Sequence, residues 1–335
     1  MYGAPARKQL ALLSLLVLAG FVLPYVLPGY FLYIANLLMM YVILAIGFDI
    51  LLGWTGQFAF AHIAFYGIGI YGTALLQLRF GVPFVIGMPA AAALAALIGF
   101  LIALPATRLR TVYLALATFA FAECAEWVFR TWESVTKGSD GLRISAPDIF
   151  GYVVGTDGRA LPVIAIILAL VLAGTLYLRH SKLGRSLCAI RDSEHVAAAS
   201  GIDVKRIKVI AFTISAFYAG IAGGTYTLFQ SFVHPDGLGV WTLVLVLTMI
   251  VVGGSGTLPG VILGVVLLGI LPEALRAAPR GLLVWQEFAY GLILILAIMF
   301  MPRGIWGLIR GGARARKSPA APRQRAAGAL PREAP

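Results

Sequence analysis

Charge is what this sequence has least of. Asp, Glu, Lys and Arg make up 12% of its 335 residues, about half the share in a soluble domain. That leaves too few polar groups to clothe a water-facing surface. Acidic residues are the scarcer kind, 14 against 26 basic ones. Cysteine is nearly absent: Cys124 falls in an apolar run and Cys188 in a polar segment, so no disulfide is implied. The four histidines, His62, His180, His195 and His234, are scattered, and no His or Cys pair has metal-ligand spacing, so no metal site is expected. No G-x-x-x-x-G-K-S/T loop occurs, which excludes nucleotide binding by that device.

What is present in excess is apolar sequence: 60% hydrophobic residues and a mean hydropathy of +0.92, gathered into blocks with the charges between them. Blocks of roughly 20 apolar residues predict membrane-spanning helices. They run over 11–27, 31–52, 58–78, 84–104, 112–129, 160–178, 209–229 and 282–301. A further stretch, 240–271, is interrupted by Gly253-Gly-Ser-Gly-Thr-Leu-Pro-Gly260, and reads as two short spans or one re-entrant hairpin. The fold class expected is an all-α polytopic membrane protein with about 8–10 spans; the runs lack the two-residue alternation of barrel strands. Lys and Arg concentrate in segments that fall on one side if the N-terminus is cytoplasmic: Arg7 and Lys8, Arg108 and Arg110, seven residues between Arg179 and Lys208, and the tail from Arg303. Both termini are therefore expected inside, with Arg276 and Arg280 against the rule.

Residues 1–309 read as one membrane domain with an outer loop at 131–160 and an inner loop at 179–208. Residues 310–335, rich in Pro, Ala and Arg, are expected to be a disordered cytoplasmic tail that meets anionic lipid rather than nucleic acid. The first span has no small-x-small cleavage site after it and is expected to stay uncleaved. Most of the glycines in the spans suit close helix packing. Gly53-Trp-Thr-Gly-Gln57 and Gly253-Gly-Ser-Gly-Thr257 stand out, because glycine-interrupted segments in both halves of a chain point to a transport pathway. Gly253-Gly-Ser-Gly256 also fits the G-x-S-G of rhomboid-type intramembrane proteases, but no histidine follows His234 to serve Ser255 as a base.

Polar groups within spans are costly and mark functional candidates: Asn36, Asp49, Gln57, His62, Glu123 and Glu126. Glu123 and Glu126, three apart, share one helical face, and Glu123 lies deepest. In the inner loop, Glu194 to Ser200 predicts a short Ala-rich helix that Gly201 ends and after which Asp203 caps the next. Such a helix is a handle for another protein.

The residues of that loop, Gly184-Arg185-Ser-Leu187-Cys-Ala189-Ile190-Arg191-Asp-Ser-Glu194, then Ala197 to Ala199 and Gly201-Ile202-Asp203-Val204, resemble the coupling loop of bacterial ABC-importer permeases. They are most similar to the branched-chain amino acid permease family (LivM type). Leu51-Leu-Gly-Trp-Thr-Gly-Gln57, His62-Ile-Ala-Phe65-Tyr-Gly67-Ile-Gly69, Tyr113 to Thr118, Val251 to Gly260 and Leu271-Pro-Glu273 match that family in order. Ala61 departs from its usual Gly before the histidine, and Gly138-Ser-Asp-Gly141 replaces a T-G-G-x-x-G. The resemblance implies a non-catalytic permease subunit of an ATP-driven ABC importer for branched-chain or related amino acids, in the bacterial cytoplasmic membrane. It also implies its partners: a second permease, two cytoplasmic ATPases and an extracytoplasmic substrate-binding protein. This chain would bind no cofactor, ATP and Mg2+ belonging to the ATPases. Gly184, Arg185, Arg191, Glu194, Ala198, Ala199, Gly201 and Ile202 would form the ATPase-coupling loop. Gln57, His62, Phe65, Gly67, Gly69 and Glu123 are the candidates for the pathway wall. An ion-driven secondary transporter of small polar solutes is the alternative.

Overall fold

The computed structural model describes residues 6–107, 109, 111–149, 151–276, 286–300 and 304–315. Arg108, Arg110, Arg280, Arg303 and the tail beyond 315 lie outside the described residues. Fourteen α-helices occur among those described, in chain order α1 (Ala6–Val22), α2 (Gly29–Thr55), α3 (His62–Phe80), α4 (Phe84–Ala106), α5 (Thr111–Thr131), α6 (Glu133–Thr136), α7 (Asp157–His180), α8 (Lys182–Asp192), α9 (Glu194–Ala199), α10 (Val204–Tyr226), α11 (Val240–Gly253), α12 (Leu258–Arg276), α13 (Gln286–Phe300) and α14 (Gly304–Ala315). Seven are long and apolar enough to cross a membrane, the seventh being α11 with the 3-10 turn before it, and two shorter apolar helices at Ala11–Tyr25 and Leu258–Leu271 add to them. The chain is an all-α polytopic membrane protein.

Helix α10 lies at the centre, packed on α2, α3 and α4. Helices in lipid gain nothing from hydrophobic transfer and associate by close approach. Here small residues provide it: a Cβ on Gly69 of α3 would collide with the backbone of Gly220 on α10. Two short antiparallel ribbons decorate the 131–160 side, β1 (Leu142–Arg143) with β4 (Phe232–Val233), and β2 (Asp148–Ile149) with β3 (Tyr152–Val153).

Three boundaries differ from the sequence reading, and the interrupted stretch at 240–271 takes the form of two helices. Helix α2 runs past the expected 52 to Thr55, where Gly56 turns left-handed at φ 71°, and α3 starts only at His62 rather than 58. Residues 240–271 resolve into α11 and α12, joined by the turn at 254–257 into a helical hairpin; at 19 residues α12 is about 28 Å long. The loop at 179–208 holds two helices, not one. Helix α14 continues to Ala315, past the expected boundary at 309.

Candidate functional site

The 179–208 loop is held in shape by a cap at each turn of the chain. The Ser181 side chain accepts from Gly184 N–H (3.2 Å) and starts α8. Helix α8 buries Gly184, Leu187 and Ile190 along one face; Gly184 sits so close to the end of α7 that a Cβ would press on the backbone of Leu178 and Arg179. Ser193 accepts from Val196 N–H (3.4 Å) and starts α9. That helix closes with Gly201 at φ 81°, Gly201 N–H donating to Ala198 O (3.0 Å) and Ile202 N–H to Ala197 O (3.1 Å), the double bond of a Schellman stop. Asp203 then accepts from Arg206 N–H (3.1 Å) to start α10. Lys208 reaches back to Glu194 and ties α9 to α10. With Ala197 buried inward, α9 presents Val196 (65% exposed), Ala198 and Ala199 outward. Small apolar residues on a firm, exposed helix are a surface another protein can close on. Arg185 is exposed beside it and donates to His180 O (2.9 Å).

Arg191, expected among the ATPase contacts, is exposed on α8, and its guanidinium also donates to Gly53 O near the end of α2. Arg179, the penultimate residue of α7, donates to Gly256 O (3.0 Å) and lies 4.8 Å over the Trp54 ring. Buried Asp49 of α2 accepts from Gly256 N–H (2.7 Å). The two glycine-rich stretches singled out in the sequence thus meet each other under α8. Gly256 holds φ 79° there, with no room for a side chain between Gly53 O and Arg191.

The other candidates separate into two groups. His62 is 2% exposed: one ring nitrogen contacts Leu44 O (2.9 Å), the other Ser215 Oγ (3.0 Å), and the ring stacks on Phe48 at 5.1 Å. It bolts α2, α3 and α10 together. Phe65 is equally buried, against Phe121 and Phe212, and Gly67 and Gly69 face Phe129 and Gly220. These four line helix contacts. Gln57 is buried in the non-helical 56–61 segment, and its Nε2 has no hydrogen-bond partner among the described residues.

Glu123 stands apart. Helix α5 buries only a narrow stripe, Leu114, Thr118, Ala122 and Phe129, and exposes Leu116, Ala120, Glu123 and Trp127 on its far side. Glu123 and Glu126 border a crevice with Ile63, Phe119, Gly239 and Leu243. Glu126 is paired with Arg130 (2.6 Å), and Arg130 also holds Asp236 (2.9 Å), ahead of α11. Sequence reading passed over Arg179, Trp54, Gly239 and Asp236. Arg179 stands among the cations of the inner loop and Asp236 is the lone acid of 231–239, so neither is marked as a site residue by its neighbours.

The sequence pattern of the family described as "Branched-chain amino acid transport system / permease component" matches residues 30–301. The chain is 30% identical over 334 residues to the high-affinity branched-chain amino acid transport system permease protein LivM of Escherichia coli K12, covering 92% of this chain and 77% of that one. To the LivH permease protein of the corresponding description in the same organism it is 29% identical, covering 80% and 91%. A ribose import permease protein, RbsC of Haemophilus influenzae, is 28% identical over 55% of this chain and 57% of its own. No solved structure matches.

Proposed function

Because this chain belongs to the family of branched-chain amino acid transport system permease components, we propose that it is the membrane subunit of an ATP-driven importer for branched-chain or related amino acids. Its seat is the bacterial cytoplasmic membrane, with the 179–208 loop and both termini on the cytoplasmic side. The loop docks on separate ATPases, which carry ATP and Mg2+. A second permease completes the pathway, and a binding protein delivers solute from outside.

The observation that carries this reading is the wiring of the loop. A surface helix that merely connected two spans would need no buried partners. Here α8 and α9 are capped at every joint, expose Val196, Ala198 and Ala199, and are fixed to the membrane helices through Arg191 and Gly53. A displacement imposed on α9 therefore reaches α2 and the α11–α12 hairpin through stiff elements rather than a slack linker.

The exposed side of α5 supports a pathway shared with a second permease. A carboxylate facing hydrocarbon near mid-bilayer costs about 2.5–3.5 kcal/mol. Glu123, exposed well inside its span, avoids that cost by facing water or another chain. His62, Phe65, Gly67 and Gly69 support this wall from behind.

The test is reconstitution. The chain, assembled with the permease, ATPases and binding protein of its own host in liposomes, should accumulate leucine only with ATP inside. Leucine uptake driven by a proton or sodium gradient without ATP would favour the secondary transporter.

A further inference from the structure

Helix α11 is anchored by polar contacts at both of its ends, and the two anchors reach opposite sides of the molecule. At its C-terminal end, the 254–257 turn is held by Asp49 and Arg179 through Gly256 and abuts the Arg191 guanidinium. At its N-terminal end, Gly239 is seated on Glu126: a Cβ there would lie 2.9 Å from Oε2. Just before it, Asp236 Oδ1 is 2.9 Å from Arg130 Nη2, which lies 2.6 Å from Glu126 Oε1. His234 secures the same segment by contacting Ser139 O (3.0 Å) and Asp236 (3.3 Å).

Between the anchors the element is stiff. Added Cβ atoms on Gly253 and Gly264 would strike backbone across the hairpin, so α11 and α12 touch main chain to main chain and have no slack in which to slide. The 14 residues of α11 extend about 21 Å. A rigid element fixed at each end to a different site offers a contiguous route by which the two can couple.

We propose that α11 is a transmission rod in which Asp236 and Arg130 are positioning residues: movement of the α8–α9 loop, taken up at Gly256, shifts the outer end of α11 and re-aims the Glu123 face of α5. The inference rests on the importer reading above and adds to it a route and two residues. Neither is in contact with the loop, and both are partly exposed (side chains 62% and 47%), so replacing them leaves the helix contacts intact.

The experiment uses the complete importer in liposomes, with Cys124 and Cys188 replaced by Ala and a reporter at Glu123→Cys. Labelling by a membrane-impermeant maleimide is timed without nucleotide and with vanadate-trapped ATPases. In this parent the two rates should differ severalfold. Asp236→Asn and Arg130→Gln should each abolish the difference while the ATPases still co-purify, and Asp236→Glu should restore it. A parent that responds to nucleotide together with Asp236→Asn and Arg130→Gln variants that respond equally would overturn the rod alone. A parent whose labelling ignores nucleotide would overturn the importer reading and the rod with it.

Discussion

Arg191, on the loop helix α8, donates its guanidinium to the backbone carbonyl of Gly53, 138 residues earlier in the chain and inside the end of α2. The contact is directional. A carbonyl near a helix C-terminus has no intrahelical partner and carries the negative end of the helix dipole, so a cation there satisfies both. Losing it removes a polar tie between α8 and the end of α2, while Gly184, Leu187 and Ile190 keep the helix packed.

Arg191→Ala should therefore lower the solute moved per ATP hydrolysed more than it lowers the amount of assembled complex. Arg191→Lys, which keeps the charge but offers no planar fork, should fall between. The ratio of leucine uptake to phosphate release in liposomes measures this directly. Equal ratios for all three proteins would remove Arg191 from the coupling route.

Gly256→Ala puts a methyl group between Gly53 O and Arg191 at a φ of 79°. The left-handed conformation alone costs about 1–2 kcal/mol for a residue with a side chain. The variant should unfold at lower temperature in detergent and lose coupling as Arg191→Ala does. A melting temperature and uptake ratio like those of the parent would show that the turn is looser than described.

Gly201→Val acts at the other end of the loop, where φ is 81° and no neighbour crowds the site. A β-branched residue resists that conformation, so the Schellman stop opens and α9 loses its orientation. The protein should reach the membrane at normal abundance, as read by blotting, while uptake falls against ATP turnover. Normal uptake would contradict the assignment of α9 as the docking helix.

His62→Ala removes a ring whose two nitrogens are each engaged by a buried polar group, Leu44 O and Ser215 Oγ. An unsatisfied buried polar group costs about 1–3 kcal/mol, and the lost ring leaves a cavity beside Phe48. Thermal stability should fall markedly, while any folded protein keeps the parent's solute preference in competition assays. A changed preference with unchanged stability would return His62 to the pathway wall.

The sequence was informative where one residue type has one physical meaning. Apolar blocks located the spans, Gly201 and Asp203 announced a helix stop and a helix start, and the scarcity of acids made Glu123 conspicuous. It was silent where meaning depends on a distant partner. His62 in an apolar run reads as a pathway group until Leu44 and Ser215 are seen at its two nitrogens. Arg191 is the surface charge it reads as, but nothing local shows that its guanidinium also reaches Gly53 O. Helix α8 carries Leu183, Leu187 and Ile190 at helical spacing, but its charged residues and Gly184 make the segment read as a loop. The break between 31–52 and 58–78 is legible in Gly53-Trp-Thr-Gly-Gln57; that α2 runs on to Thr55 and stops at the left-handed Gly56 is not.

The most direct measurement is to purify the tagged chain gently from its own host and identify what comes with it, beside an Ala198→Trp, Ala199→Trp variant. Both alanines are exposed on α9, so the added rings block a partner without disturbing the core. Two ATPase subunits that accompany the parent and are missing from the variant, with a second permease retained in both, is the predicted result. A parent that comes away with no ATPase and still moves solute in liposomes would contradict the importer.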